Sequence, residues 1–257
     1  MKKLVYFLLT VVVSVGLSSC MKEGDSSFAG TYLAYVTKDS KQDLVYARAF
    51  SMRGSAFYFE GNMTSPKLEK YPPGYFAILN CSWNESYGMV EGTNVPVYKV
   101  QVSNDVEMLD VTQFVFSAPP TLAEKIPLTL HAPLYDAKAK DNFLDNKWVF
   151  PYLCRIKKGE TPDLHFFFDA DNQSASKNEV IVDVVLTKSG AATGSDEEQV
   201  ANFAVIDFSP LRSILMQDSQ WQDNNNVRVR FRFNKQGEPQ NEPYISDGIE
   251  WQINHVD

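Results

Sequence analysis

Arg228, Arg230 and Arg232 alternate with Val227, Val229, Phe231 and Phe233. Successive side chains of a β-strand point to opposite faces, so the three guanidinium groups would form one stripe above an apolar underside. A guanidinium fork takes a carboxylate bidentately, and such a stripe could hold an anionic polysaccharide or an acidic protein surface. The competing reading is cross-strand pairing with acids such as Asp183, Asp207 or Glu250. In a chain with 32 Asp+Glu against 24 Lys+Arg, pairing is the expected arrangement. A second group, Tyr71, Tyr75, Phe76, Trp83 and Tyr87, crowds rings into one stretch. Exposed rings stack on sugar faces, whereas alternate rings of a barrel strand fill its interior. Interior packing is expected for most of them, and Tyr71, Tyr75, Trp83 and Tyr87 are the ligand candidates where rings face water.

Catalytic patterns are missing from the sequence. There is no G-x-S-x-G elbow, and no Cys has an identifiable His partner. His131, His165 and His255 stand singly, without metal-ligand spacing, and read as structural histidines. Phe168-Asp169-Ala170-Asp171-Asn172-Gln173 has the acids of a cation loop, but Ser174 and Val180 occupy the places where a calcium loop needs Gly and Glu. The formal net charge of −8 opposes phosphate binding. These residues predict no catalysis, no cofactor, no metal and no nucleic-acid partner.

The elements that must position these side chains read as all-β. Aromatic and β-branched runs recur between Gly, Pro, Asn and Asp clusters. Strands are expected at Leu44–Phe50, Ala56–Phe59, Tyr75–Trp83, Val95–Val102 and Asp110–Phe116. Six more are expected at Trp148–Ile156, Leu164–Phe168, Val180–Thr187, Phe203–Phe208, Val227–Phe233 and Ile249–Ile253. One short helix is expected over Ser209–Met216, with Ser209 as cap and Pro210 in the first turn. Thr121–Lys125 reads as a further single turn. The double proline at Ser117-Ala118-Pro119-Pro120 predicts a boundary, with a small barrel before it and a β-sandwich after it. Ser189–Gln199 reads as an exposed, mobile hairpin loop.

Met1-Lys2-Lys3 followed by apolar residues to Leu17 has the form of a secretory signal, too short to span a bilayer. It ends in Leu17-Ser18-Ser19-Cys20, which resembles the bacterial lipobox. By that resemblance Cys20 would carry the lipid as the first mature residue, making the membrane a partner through that lipid alone. Lys22-Glu23 looks like the export tag of surface lipoproteins in Bacteroidetes, which implies an outer-membrane, surface-exposed location. Cleavage before Cys20 would remove Lys2 and Lys3 and no acid, leaving a still more acidic chain. Cys81 and Cys154 lie in apolar runs and read as buried free thiols, although an exported protein also permits a disulfide.

Several stretches together resemble the NigD-like lipoproteins of Bacteroidetes. They are Tyr98–Val102 running on to Asp110–Phe114, the pair Leu164–Phe168 and Val180–Leu186, Val205-Ile206-Asp207-Phe208-Ser209-Pro210-Leu211, and Val227–Asn234 with the turn Lys235-Gln236-Gly237-Glu238. The hairpin typical early in that family's barrel is replaced by Ala47–Glu60. The resemblance implies an N-terminal OB-like barrel followed by a C-terminal β-sandwich, and association with a bacteriocin locus. The expected organisation is a signal peptide over 1–19, a tether over 20–30, the OB-like domain over 31–118 and the sandwich over 119–257. The expected role is a non-catalytic, lipid-anchored binding or interaction module with a protein or polysaccharide partner. The alternative is a surface glycan-binding accessory lipoprotein.

Overall fold

The computed structural model of the chain describes residues 27–103, 106–121, 126–137, 143–176, 178–218, 221, 224–239 and 242–254. The signal peptide, Cys20, most of the tether, most of the expected turn at 121–125 and His255 lie outside the described residues. The protein is nearly all β, with one α-helix among the described residues. The chain divides into two compact units between Asp110 and Val111.

The N-terminal unit contains β1 (Ser27–Asp39), β2 (Leu44–Arg53), β3 (Ala56–Thr64), β4 (Phe76–Asn84), β5 (Val97–Lys99), β6 (Gln101–Val102) and β7 (Glu107–Met108). They form one seven-stranded mixed sheet in the order β5-β3-β2-β1-β4-β6, with β7 also on β4. Pairing is antiparallel except between β3 and β5. The path is open, and no closed barrel is formed among the described residues. Residues 97–102 nonetheless meet β3 along their first half and β4 along their second. Ala34, Val36, Ala47, Ala49, Met63, Leu79 and Cys81 form the inner core.

β1 was not among the expected strands. Leu33 to Val36 are buried on both faces, so this strand lacks the half-buried alternation by which the others are read. Its start at Ser27 also shortens the expected tether, which was to run to residue 30. The β2–β3 hairpin turns through Gly54-Ser55, and the positive φ of Gly54 is what a two-residue hairpin loop requires. The register then slips between Ala49 and Phe50, leaving Glu60 as the extra residue of a bulge beside Gly61.

Asp39 closes β1. Its carboxylate accepts from the amides of Asn94 at 3.0 Å, Lys41 at 2.9 Å and Gln42 at 3.1 Å, joining two loops. Those amides, Asn94 first, hold its carboxyl below the ordinary value. A depressed native pKa stabilises above the unfolded value of about 4 and is lost as pH falls through the native one. The advantage of the wild type over Asp39→Asn in thermal unfolding should therefore stand at pH 6 and shrink below about pH 4. A gap that stays constant to pH 2 would show that the charge contributes nothing.

The C-terminal unit begins with β8 (Val111–Thr112) and β9 (Phe114–Val115), followed by β10 (Leu128–Leu130), β11 (Lys147–Lys157), β12 (Thr161–Phe167) and β13 (Glu179–Ser189). It continues with β14 (Glu197–Asp207), α1 (Ser209–Gln217), β15 (Asn226–Phe233), β16 (Tyr244–Ile245) and β17 (Ile249–Gln252). One sheet has the order β10-β11-β14-β8 and the other β16-β15-β13-β12-β9, with β17 also on β15. The boundary lies before the double proline, because 111–115 pairs in parallel with β14 and β12 of this unit. Rings from both sheets share one core, with Phe150 on β11 4.9 Å from Phe231 on β15 and 5.1 Å from Phe166 on β12.

Ser189–Gln199 is exposed as expected, but it is not a hairpin. β13 and β14 lie in different sheets, so 190–196 arches from one sheet to the other, and β14 already begins at Glu197. The arch is pinned where the Thr193 amide donates to the Lys158 carbonyl at 2.8 Å. The helix falls where its spacing put it, with Pro210 in its first turn. Ser209 does not cap it. Phe208 holds the N-cap position, and the Ser209 amide donates to the Asp207 carboxylate at 2.8 Å.

Candidate functional site

β15 places the arginine stripe as the alternation required, with Val227, Val229, Phe231 and Phe233 buried beneath it. The guanidinium groups face carboxylates of neighbouring strands. Arg232 donates from Nε and Nη2 to the two Asp183 oxygens at 2.6 and 2.7 Å, a bidentate pair. That hydrogen bonding raises the Arg232 guanidinium above its ordinary value. Arg230 meets Glu179 at 3.2 Å and donates to the Ser246 carbonyl at 2.9 Å. Arg228 and Glu250 are 4.0 Å apart, both largely exposed. Asp183 and Glu250 are thus partners, as pairing predicts, whereas Asp207 belongs to the other sheet. The parallel register of β13 against β15, Glu179↔Arg228 to Asp183↔Arg232, brings the acids into reach. The stripe is therefore part of the sheet's own ion pairing.

The aromatic group does not form one patch. Tyr75, just before β4, and Trp83, near its far end, stand eight residues apart, roughly 26 Å at about 3.3 Å per residue. Tyr75 is exposed at one end, and Phe76 beside it is fully buried 5.0 Å from Tyr35. Tyr71 packs against the inner core and its hydroxyl donates to the Val106 carbonyl at 3.4 Å. Tyr87 lies half-buried in the 3-10 turn Glu85–Tyr87 that follows β4.

Trp83, at the far end of β4, instead joins rings from other strands. Phe28 on β1 stacks on it at 5.5 Å, and Tyr98 on β5 meets it edge-on at 5.4 Å. Tyr32 meets Phe28 edge-on at 6.2 Å. All four rings are half-buried and cap one end of the inner core. Tyr98 lies against Gly61, a Cβ on which would sit 3.4 Å from the ring. The bulge residue Glu60 comes just before the Gly61 that Tyr98 covers. Ser51 donates to its Oε1, and Arg53 donates to the same oxygen at 2.9 Å. Arg53 also lies over the exposed ring of Tyr58, 5.3 Å from its centre. Sequence reading missed Phe28, Tyr32, Tyr98 and Glu60. The one available signal was that the β2–β3 hairpin carries Ser51, Arg53, Tyr58 and Glu60 at spacings that share a face once the bulge is counted.

The fold has solved counterparts. An uncharacterised protein from Parabacteroides merdae is similar with a TM-score of 0.54 at 11% identity, covering 88% of this chain and 99% of its own. A "putative lipoprotein" from Bacteroides fragilis is similar with a TM-score of 0.50, also at 11% identity, covering 90% of this chain and 100% of its own. At such identity the likeness is one of fold. No protein-family model matches the chain, and no curated protein does.

Elsewhere in this fold His165 and the acids of the Asp169 loop have structural partners. His165 lies 2.9 Å from the Thr187 hydroxyl and 3.4 Å from Asp163, at the surface. Burial lowers the His131 imidazole below its ordinary value. The Asp169 loop is a 3-10 turn in which Asp169 accepts the Asp171 amide at 3.2 Å. Gln173 closes it by bonding both the amide and the carbonyl of Ile181, at 2.8 and 3.0 Å. Cys81 and Cys154 are free and buried, and desolvation pushes each thiol up to about 11. Among the described residues no three His, Cys, Asp or Glu side chains gather as a metal site.

Proposed function

We propose that this chain is a lipid-anchored, non-catalytic binding module of the bacterial outer membrane, of the NigD-like kind. The observation that carries the reading is Cys20 at the end of a short apolar stretch behind Met1-Lys2-Lys3. A diacylated Cys supplies the paired acyl chains that stable anchoring needs. The likeness to a Bacteroides fragilis "putative lipoprotein" along its whole length supports the same reading. No helix among the described residues is long and apolar enough to cross a membrane. An OB-like, partly open barrel for the N-terminal unit is supported by residues 97–102 lying between β3 and β4. A β-sandwich for the C-terminal unit is supported by the core shared between its two sheets.

The anchor is tested by substitution. Cys20→Ala should abolish incorporation of an alkyne-labelled palmitate and move the protein from the membrane fraction to the soluble one. Retention of both label and membrane fraction in the variant would refute the anchor.

The ligand class favoured by the geometry is a glycan. Half-buried rings from three strands converge at one end of the N-terminal sheet, and Trp83, one of the ligand candidates read from the sequence, is among them. Here the module would display that end of the sheet outward while the lipid holds the chain.

A further inference from the structure

We infer that the end of the N-terminal sheet where Phe28, Tyr32, Trp83 and Tyr98 converge, with Glu60 next along β3 to the Gly61 that Tyr98 covers, is a subsite for one sugar unit of a neutral polysaccharide. This rests on the glycan reading above and adds the residues and the charge class. The rings form a chain of contacts, Tyr32 to Phe28 to Trp83 to Tyr98, and Tyr98 returns to the β3 backbone at Gly61. Ring faces accept the C–H faces of a pyranose, and half-burial fixes the rings before a ligand arrives.

The polar half of the subsite is Glu60. Both of its contacts, from Ser51 and Arg53, fall on Oε1. Among the described residues Oε2 receives no hydrogen bond, so one carboxylate oxygen of this half-buried side chain remains for a sugar hydroxyl. The bulge makes Glu60 the extra residue of β3, where Ser51 and Arg53 of β2 hold its side chain. The Tyr32 hydroxyl, which lies over Gly30 of its own strand, is the second polar group of this end. Burial above all pushes this phenol up to about 12, so it stays neutral and both donates and accepts. A polyanion is disfavoured, since it would meet Glu60 in a chain of net charge −8, with Arg53 already bonded to that carboxylate.

Tryptophan emission tests this directly. Of the four Trp residues, Trp148, Trp221 and Trp251 are at most 1% exposed, so acrylamide quenching reads Trp83. The detergent-purified full chain would be titrated with laminarin, dextran and yeast mannan, and with polygalacturonate as the anionic comparison. Affinity electrophoresis would run in parallel. The expected result is that one neutral polymer retards the chain and shields Trp83 from acrylamide. Glu60→Gln and Trp83→Phe should each weaken retardation at least tenfold, while Tyr75→Ala at the other end of β4 leaves it unchanged. Retardation that both variants retain in full would overturn this subsite and leave the glycan reading standing. Preference for polygalacturonate would overturn the neutral class. No retardation by any polymer would remove the glycan reading and the subsite with it.

Discussion

Arg232→Ala is expected to destabilise the C-terminal unit by about 3 kcal/mol, because it leaves a nearly buried carboxylate without its partner. The Asp183 side chain is 8% exposed and that of Arg232 16%, and the pair is bidentate. Removing the guanidinium keeps the desolvation of Asp183 and takes away what offsets it. Solvent reaches the pair from one side, which keeps the loss near the low end for buried pairs. Hydrogen exchange at the β13 and β15 amides would report the change. Replacing both members by apolar residues, Asp183→Leu with Arg232→Met, should recover most of the loss. Arg228→Ala is the contrast: with side chains 51% and 73% exposed and 4.0 Å apart, the Arg228–Glu250 pair should contribute nothing measurable. Equal losses at 228 and 232 would refute burial as the cause.

Trp148→Ala should cost more, about 3–5 kcal/mol for the vacated volume. Trp148 is fully buried on β11, stacked on Phe208 at 4.1 Å, tilted against Tyr135 at 4.6 Å and edge-on to Trp251 at 5.5 Å. The site cannot collapse easily, because its neighbours are themselves rings held from both sheets and from the entry to α1. The Trp148 indole N–H is buried and finds no acceptor among the described residues. Trp148→Phe keeps a stacking ring and removes that donor, so its loss should be clearly smaller. Urea unfolding followed by near-ultraviolet circular dichroism compares the two. A phenylalanine variant as unstable as the alanine one would mean the indole's full shape, rather than stacking, holds the core.

Local pattern was enough to find strands with one wet face. β15 shows this best: its alternation fixed both the buried set and the arginine stripe, and two of the three acids proposed as partners proved to be neighbours. β1 escaped notice because its middle is buried on both sides. Which strand pairs with which was not legible. Ser189–Gln199 looked like a hairpin because β13 and β14 are consecutive, yet the two enter different sheets, and that choice depends on partners far away in sequence. The same blindness governs the aromatic group. Nearness along a strand separates side chains, so Tyr75 and Trp83 part company, whereas Phe28 and Tyr98 come to Trp83 through pairing. Glu60 needed the bulge, a register slip that composition does not announce.

Residues 111–115 carry a consequence for synthesis. Every strand of the N-terminal sheet lies within 27–108, so that unit is complete soon after its last strand is made. β8, directly behind it, pairs with Val205 and Ile206, roughly ninety residues later. At about 5–20 residues per second the wait is on the order of 5–20 seconds. Throughout it Val111 and Thr112 lack their partner strand, and for roughly the first half Phe114 and Val115, whose partners are Phe166 and Phe167, also stand on an open strand edge, the kind of surface to which other chains add. A chain ending before Val205 therefore keeps its N-terminal unit whole and trails the apolar strands of the other, a species that holding chaperones and proteases would meet first.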